Sequence, residues 1–206
     1  MLQIPKTANK GLEGVVACTS EISTIFDVTL LYRGYTIDDL ASNCGFEETT
    51  YLLWNKNLPN PAQLKEFKSK LASGLTLPAE LLPVIESVAQ TKAHPMAKLR
   101  TVISYFGLLD SKAEDITPEG VLAKASRLTG AFGPICAALS RCEDGKKPLN
   151  PDVSKTLAWN FLNMVRGKEP TPEEEKLFDP ALVLHADHEL NASTFTARVV
   201  ASTTSD

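Results

Sequence analysis

From Thr36 onward the apolar residues recur at three- and four-residue intervals, the spacing that lines one face of a helix, with polar residues between them. Ile37, Leu40 and Ala41 follow Thr36, an N-cap candidate, and Asn43 to Gly45 supplies a stop. Tyr51, Leu52 and Trp54 mark a second helix over 46–57. Leu64, Phe67 and Leu71 mark a third over 62–73, with Gly74 expected to close it in the left-handed conformation. A fourth covers 78–91 with Leu82, Ile85 and Ala89 on one face, and Pro95 opens a fifth at a first-turn position, where its missing N–H does no harm. Thr117-Pro118-Glu119 begins a long helix to about Arg141. Its expected apolar stripe is Leu122, Ala125, Leu128, Phe132, Ile135 and Leu139, and Pro134 should kink or divide it. Residues 152–165 are amphipathic again, and Thr171-Pro172-Glu173-Glu174-Glu175 caps a helix expected to run into, or stop just short of, His185.

Ahead of Thr36 the pattern changes. Residues 1–14 show little periodicity and read as an irregular lead-in, whereas Ile22–Phe26 and Thr29–Tyr32 are rich in β-branched and aromatic residues and flank Asp27-Val28. Two short strands in a hairpin are predicted there. The division that follows is an irregular segment plus hairpin over 1–35 and a helical body over 36–206. The fold class is mainly α with a small N-terminal β element. No internal repeat, low-complexity tract or sustained heptad interrupts the pattern, and most of the 13 prolines fall at helix ends.

Composition narrows the function. A chain of 206 residues with 43% hydrophobic and 22% charged residues can bury one substantial core. A formal charge of −4 argues against a general nucleic-acid or anionic-membrane surface. No apolar run approaches the roughly 18 residues that span a bilayer. The cysteines Cys18, Cys44, Cys136 and Cys142 form no C-x-x-C pair and follow no secretory segment, so reduced thiols in a cytoplasm are expected.

The densest chemistry lies at 185–191, His185-Ala186-Asp187-His188-Glu189-Leu190-Asn191, which holds two of the three histidines in the chain. If this stretch were helical, His185 and His188 would share a face. His185 and His188 with Asp187 or Glu189 could also offer nitrogen and oxygen ligands to a metal. That reading is the weaker one, because the H-E-x-x-H pattern and a distant third ligand are absent. A nucleophilic cysteine is weaker still, since none carries a recognisable local signature.

This segment, together with Tyr32-Arg33-Gly34-Tyr35 and His94-Pro95-Met96-Ala97-Lys98-Leu99-Arg100-Thr101, resembles the citrate synthase family, in the bacterial branch that includes 2-methylcitrate synthases. The resemblance covers essentially the whole chain as the N-terminal portion of such an enzyme. It implies a multi-helical citrate synthase-like body, truncated at the C-terminus, and an acyltransferase that converts acyl to alkyl on transfer. Acetyl-CoA and oxaloacetate would be its substrates, with no cofactor and no metal.

By the same resemblance His188 contacts oxaloacetate and Asn191 supports the pocket. His185 and Asp187 stand behind them, His185 bonding a nearby carbonyl and Asp187 orienting an imidazole. His94 and Arg100 serve helix capping and packing in a region that lies near the family's subunit interface, so a homodimer or higher oligomer is implied. The family's later Gly-Pro-Leu-His-Gly-type and Gly-His-Arg-type loops and its catalytic aspartate have no counterpart up to Asp206. The catalytic residues are therefore expected beyond it, the isolated chain is expected to be inactive, and the face of Leu122, Leu128, Ile135 and Leu139 is expected to lie bare. Two alternatives stand beside this reading: a 2-methylcitrate synthase using propionyl-CoA, and a non-enzymatic helical interaction protein.

Overall fold

The computed structural model describes residues 16 and 18–204; the irregular lead-in expected over 1–14 lies outside them. The two expected strands form β1 (Ser23–Phe26) and β2 (Thr29–Tyr32), antiparallel with Ser23 opposite Tyr32 and Phe26 opposite Thr29. A third strand, β3 (Tyr35–Thr36), pairs with β2 across the turn Arg33-Gly34. Both central residues of that turn have positive φ, 50° at Arg33 and 89° at Gly34, as a two-residue type I′ hairpin requires. Gly34 supplies this without a Cβ penalty. Thr36 then caps the first helix, its hydroxyl accepting from Asp39 N–H, so sheet and helical body are joined with no spacer.

The nine α-helices among the described residues are α1 (Ile37–Asn43), α2 (Phe46–Asn55), α3 (Pro61–Ala72), α4 (Leu82–Ala89), α5 (Pro95–Leu108), α6 (Pro118–Glu143), α7 (Leu157–Arg166), α8 (Pro172–Leu184) and α9 (Ala192–Ala201). A single 3₁₀ turn, Ala79–Leu81, leads into α4. Local sequence explains most of their starts. Asn60 and Thr171 form capping boxes with Gln63 and Glu174, Thr117 and Thr156 accept from Gly120 and Trp159 N–H, and His94 Nδ1 accepts from Met96 N–H.

Two apolar clusters hold the body together. One joins Leu81, Ile85 and Ala89 to Val102 and Phe106 of α5 and to Ala131, Ile135, Ala138 and Leu139 of α6. The other joins Tyr32, Leu40, Leu52, Leu53 and Val183, and so ties β2 to α1, α2 and α8. Lys98, almost fully buried, crosses from α5 to donate to the Ala89 carbonyl at 2.9 Å and to Glu143 of α6.

The buried face of α6 differs from the expected stripe. Ser126, Gly130, Ala131, Pro134, Ile135, Ala138 and Cys142 are buried, while Leu122 and Phe132 are 43% and 42% exposed. Apart from Ile135 and Leu139, small residues face inward here, because α3 and α7 approach closely and a helix pressed between neighbours has little room for large side chains. Ile135 and Leu139 are covered within the chain itself, so the bare face expected from them reduces to Leu122 and its exposed neighbours. Pro134 does not divide α6, which is continuous over 26 residues.

Gly74 is likewise not a left-handed cap. Ser73 closes α3 with right-handed backbone, and Gly74 does not have positive φ. Its role is clearance, because a Cβ there would stand 2.0 Å from the Arg127 carbonyl oxygen of α6.

Candidate functional site

The segment 185–191 is not helical. It forms the link between α8 and α9, so His185 and His188 do not share a helix face. The chain leaves α8 through tight i to i+3 bonds, His185 N–H to Leu182 O at 3.2 Å and Ala186 N–H to Val183 O at 3.1 Å. Two features keep it from resuming the helix at once. Glu189 sits at φ 56°, outside the right-handed helical region, and its N–H donates to Asp187 Oδ2. Asn191 then restarts a helix, its Oδ1 accepting from Thr194 N–H at 3.0 Å. An Asn followed by a run of helix formers is a sequence-level N-cap signal for α9.

Each candidate residue has a definite place on this link. The His185 ring is exposed, and its Nδ1 lies 2.7 Å from the Ala181 carbonyl, so Nδ1 carries the proton and donates. His188 is exposed on the link. Asn191 is also exposed, and with Oδ1 engaged as a cap its amide NH2 is the group available to a ligand. The Asp187 carboxylate accepts from Ser23 Oγ and Glu189 N–H, and among the described residues it has no bond to an imidazole. Among the described residues no three His, Cys, Asp or Glu side chains gather in a way that could hold a metal ion.

Beneath the link lies Tyr32, fully buried in the second apolar cluster. Its hydroxyl donates to the Asp187 carbonyl at 2.8 Å and accepts from Asp187 N–H at 3.1 Å. Burial pushes the Tyr32 phenol above its ordinary pKa; the backbone hydrogen bond to Asp187 opposes this and the Asp187 charge adds to it. The phenol therefore keeps the proton it donates. Arg33 anchors the same turn to α2, its guanidinium donating to the Leu53 carbonyl at 2.8 and 3.2 Å, where a cation favours the carbonyl end of the helix. Neither Tyr32 nor Ser23 stood out as a site residue in the sequence, since partners 155 and 164 positions away leave no local pattern.

A second, half-buried polar junction lies further up α8. Asp179 accepts from Phe46 N–H at the start of α2, at 3.1 and 3.3 Å, and Glu47 accepts from Leu157 N–H at the start of α7 at 2.9 Å. Acids borrowed from neighbouring helices thus satisfy two helix N-termini. Burial, then the charge of Glu47, raise the Asp179 pKa to about 6; the Phe46 N–H opposes them, Glu175 raises it further and Lys68 lowers it.

The clefts lie elsewhere. One of about 390 Å³ is lined by Ser73, Asp110, Lys112, Asp115, Lys124 and Arg127 among others, and another runs beside it along Lys70, Glu119 and Leu122. Neither reaches 185–191, and three of their cations are engaged, Arg127 with Asp110, Lys70 with Glu66 and Lys124 with the Ala113 carbonyl. The link presents donors on an open surface above a buried platform.

The family model described as citrate synthase, C-terminal domain, matches residues 11–206. The chain belongs to the citrate synthase family. It is 50% identical over 200 residues to citrate synthase 2 of Bacillus subtilis (strain 168), covering 97% of this chain and 54% of that protein. It is 40% identical over 204 residues to 2-methylcitrate synthase 2 of Corynebacterium glutamicum, covering 96% and 53%. Among solved structures, citrate synthase from Pyrobaculum aerophilum superimposes with a TM-score of 0.88 at 34% identity, covering 95% of this chain and 51% of that one. A ternary complex of the Thermoplasma acidophilum citrate synthase with carboxymethyl coenzyme A and oxaloacetate gives 0.87 at 28% identity, covering 96% and 52%. The chain spans about half the length of these citrate synthase relatives, and no described helix is long and apolar enough to cross a membrane.

Proposed function

We propose that this chain carries the oxaloacetate-contacting part of a citrate synthase, which condenses acetyl-CoA with oxaloacetate to give citrate and CoA. In that reaction a base removes a proton from the acetyl methyl group. The resulting enolate carbon bonds to the ketone carbon of oxaloacetate, and water cleaves the thioester. The ketone oxygen gains negative charge as the carbon–carbon bond forms, so donors aimed at it lower the barrier. His188 is the donor assigned to oxaloacetate and the Asn191 amide its companion. His185 and Asp187 hold the ends of the link. The base and the enolate donor lie outside this chain, in the part of the enzyme that also covers the link.

The observation that carries this reading is the exposed His188 link, held over a buried platform in a chain of this family. The ligands named for the Thermoplasma acidophilum complex support oxaloacetate and a CoA thioester as substrates. Similarity to a 2-methylcitrate synthase favours a second reading with propionyl-CoA as donor. A homodimer or higher oligomer in the cytoplasm completes the proposal, with four unpaired thiols suiting a reducing compartment.

The test joins this chain to the part of the Bacillus subtilis relative that it does not cover. CoA release dependent on oxaloacetate is expected from the chimera and none from the 206-residue chain alone. Comparing acetyl-CoA with propionyl-CoA in the same assay decides the donor. A chimera that melts cooperatively yet releases no CoA from either donor would favour the non-enzymatic interaction protein.

A further inference from the structure

We propose that Tyr32, with Ser23, is a positioning residue: the N-terminal hairpin clamps Asp187 and thereby sets where His188 stands when oxaloacetate binds. This rests on the reading of His188 as the oxaloacetate donor.

The link has few restraints of its own. His188 is exposed, Glu189 is at φ 56°, and the helix that follows, α9, buries no residue. A seven-residue connection of this kind samples many conformations unless something outside it holds it. The hairpin supplies that hold at one residue. Tyr32 Oη takes both backbone groups of Asp187, the carbonyl at 2.8 Å and the N–H at 3.1 Å, and Ser23 Oγ takes its carboxylate. Ser23 and Tyr32 face each other in the β1–β2 register, so one rung of the sheet grips one residue of the link.

The rung is itself rigid. The Tyr32 ring is fully buried against Leu40, Leu52, Leu53 and Val183, and Arg33 pins the adjoining turn to the Leu53 carbonyl at 2.8 Å. His188 is the next residue after the gripped one, so its Cα is displaced wherever Asp187 moves. A donor must meet its acceptor within a few tenths of an ångström to act, and a loosely held histidine loses that geometry.

The experiment compares Tyr32→Phe, which keeps the buried ring and removes the hydroxyl, with Ser23→Ala, which leaves the core untouched. In the 206-residue chain, amide exchange at 186–190 is expected to accelerate about tenfold in Tyr32→Phe and by less in Ser23→Ala, as follows from losing two hydrogen bonds or one. Exchange in α4, α5 and α6 should not change. In the chimera, Tyr32→Phe should raise KM for oxaloacetate several-fold and leave KM for acetyl-CoA alone.

Unchanged exchange at 186–190 overturns the clamp whatever the enzyme does. Faster exchange with an unchanged oxaloacetate KM shows that the clamp exists and positions nothing, which also overturns the proposal. His188→Ala in the parental chimera is the separate control. If it leaves oxaloacetate use unaltered, the assignment of His188 has failed, while the exchange data still report on the hairpin.

Discussion

Gly74 and Gly130 face each other where the end of α3 meets α6. A Cβ built on Gly130 would stand 2.0 Å from the Leu71 carbonyl oxygen and 3.1 Å from the Gly74 Cα. A Cβ on Gly74 would stand 2.0 Å from the Arg127 carbonyl oxygen. The obstacles are backbone atoms, which no rotamer change can move aside. Gly74→Ala and Gly130→Ala should each destabilise the fold by about 3 kcal/mol or more, at or beyond the upper end of ordinary overpacking. The double variant should cost less than the sum, since one separation of the helices relieves both clashes. Urea denaturation of the three variants measures this, and a loss below about 0.5 kcal/mol for either single variant would refute the packing account.

Asp179 makes stability depend on pH with a particular sign. Its folded-state pKa of about 6 lies above the ordinary carboxylate value, so the folded chain binds more protons than the unfolded chain between roughly pH 4 and pH 6. Its contribution therefore becomes less favourable as pH rises through that window. Acids with lowered pKa, Glu66 and Glu174 among them, act in the opposite direction, so the difference between wild type and Asp179→Asn isolates the effect. Asp179→Asn should gain stability relative to wild type from pH 4 to pH 6 and hold a constant difference above it. Melting curves at several pH values check this, and a difference that does not vary with pH would be the contrary result.

Asn191 has two separable jobs in this reading, a helix cap and a substrate amide. Asn191→Ala should fray α9, at a cost of about 1 kcal/mol to that helix. Asn191→Asp keeps a capping oxygen and puts a negative charge at the helix N-terminus, so α9 should persist. The aspartate variant has no amide to donate, so in the chimera it should still raise the oxaloacetate KM. Backbone chemical shifts of 192–201 and the two KM values together distinguish the roles. Normal oxaloacetate use by Asn191→Asp would leave the cap as its only function.

His185 and His188 should behave differently because they make different contacts. His185→Ala removes the ring bonded to the Ala181 carbonyl and should loosen the last turn of α8, with a small loss of stability of about 1 kcal/mol. His188→Ala should leave the melting temperature nearly unchanged and weaken oxaloacetate use by about tenfold or more, as expected for a lost donor to a charged substrate. Equal losses of both stability and oxaloacetate use in the two variants would make the pair structural.

Much of the fold was legible along the chain because its causes are local. Thr36, Asn60, Thr117 and Thr171 announce helix starts through side chains that reach only three residues ahead, and strand and helix periodicities are properties of one element. The motif at 185–191 was legible as a cluster of chemistry for the same reason. Which face of α6 is buried could not be read that way. Apart from Ile135 and Leu139 its inward residues are small because α3 and α7 crowd it, and that crowding is set by separate helices and not by α6 itself. The purpose of Gly74, the elevated pKa of Asp179 and the grip of Tyr32 on Asp187 belong to the same class. Each depends on a backbone or carboxylate brought close by the fold, across more than fifty positions of sequence in every case. The sequence alone determined most of the elements, though not β3 or α9, and the residues able to do chemistry. Tertiary packing decided which of those residues are held, and by what, because contact between distant segments exists only once loop closure has brought them together.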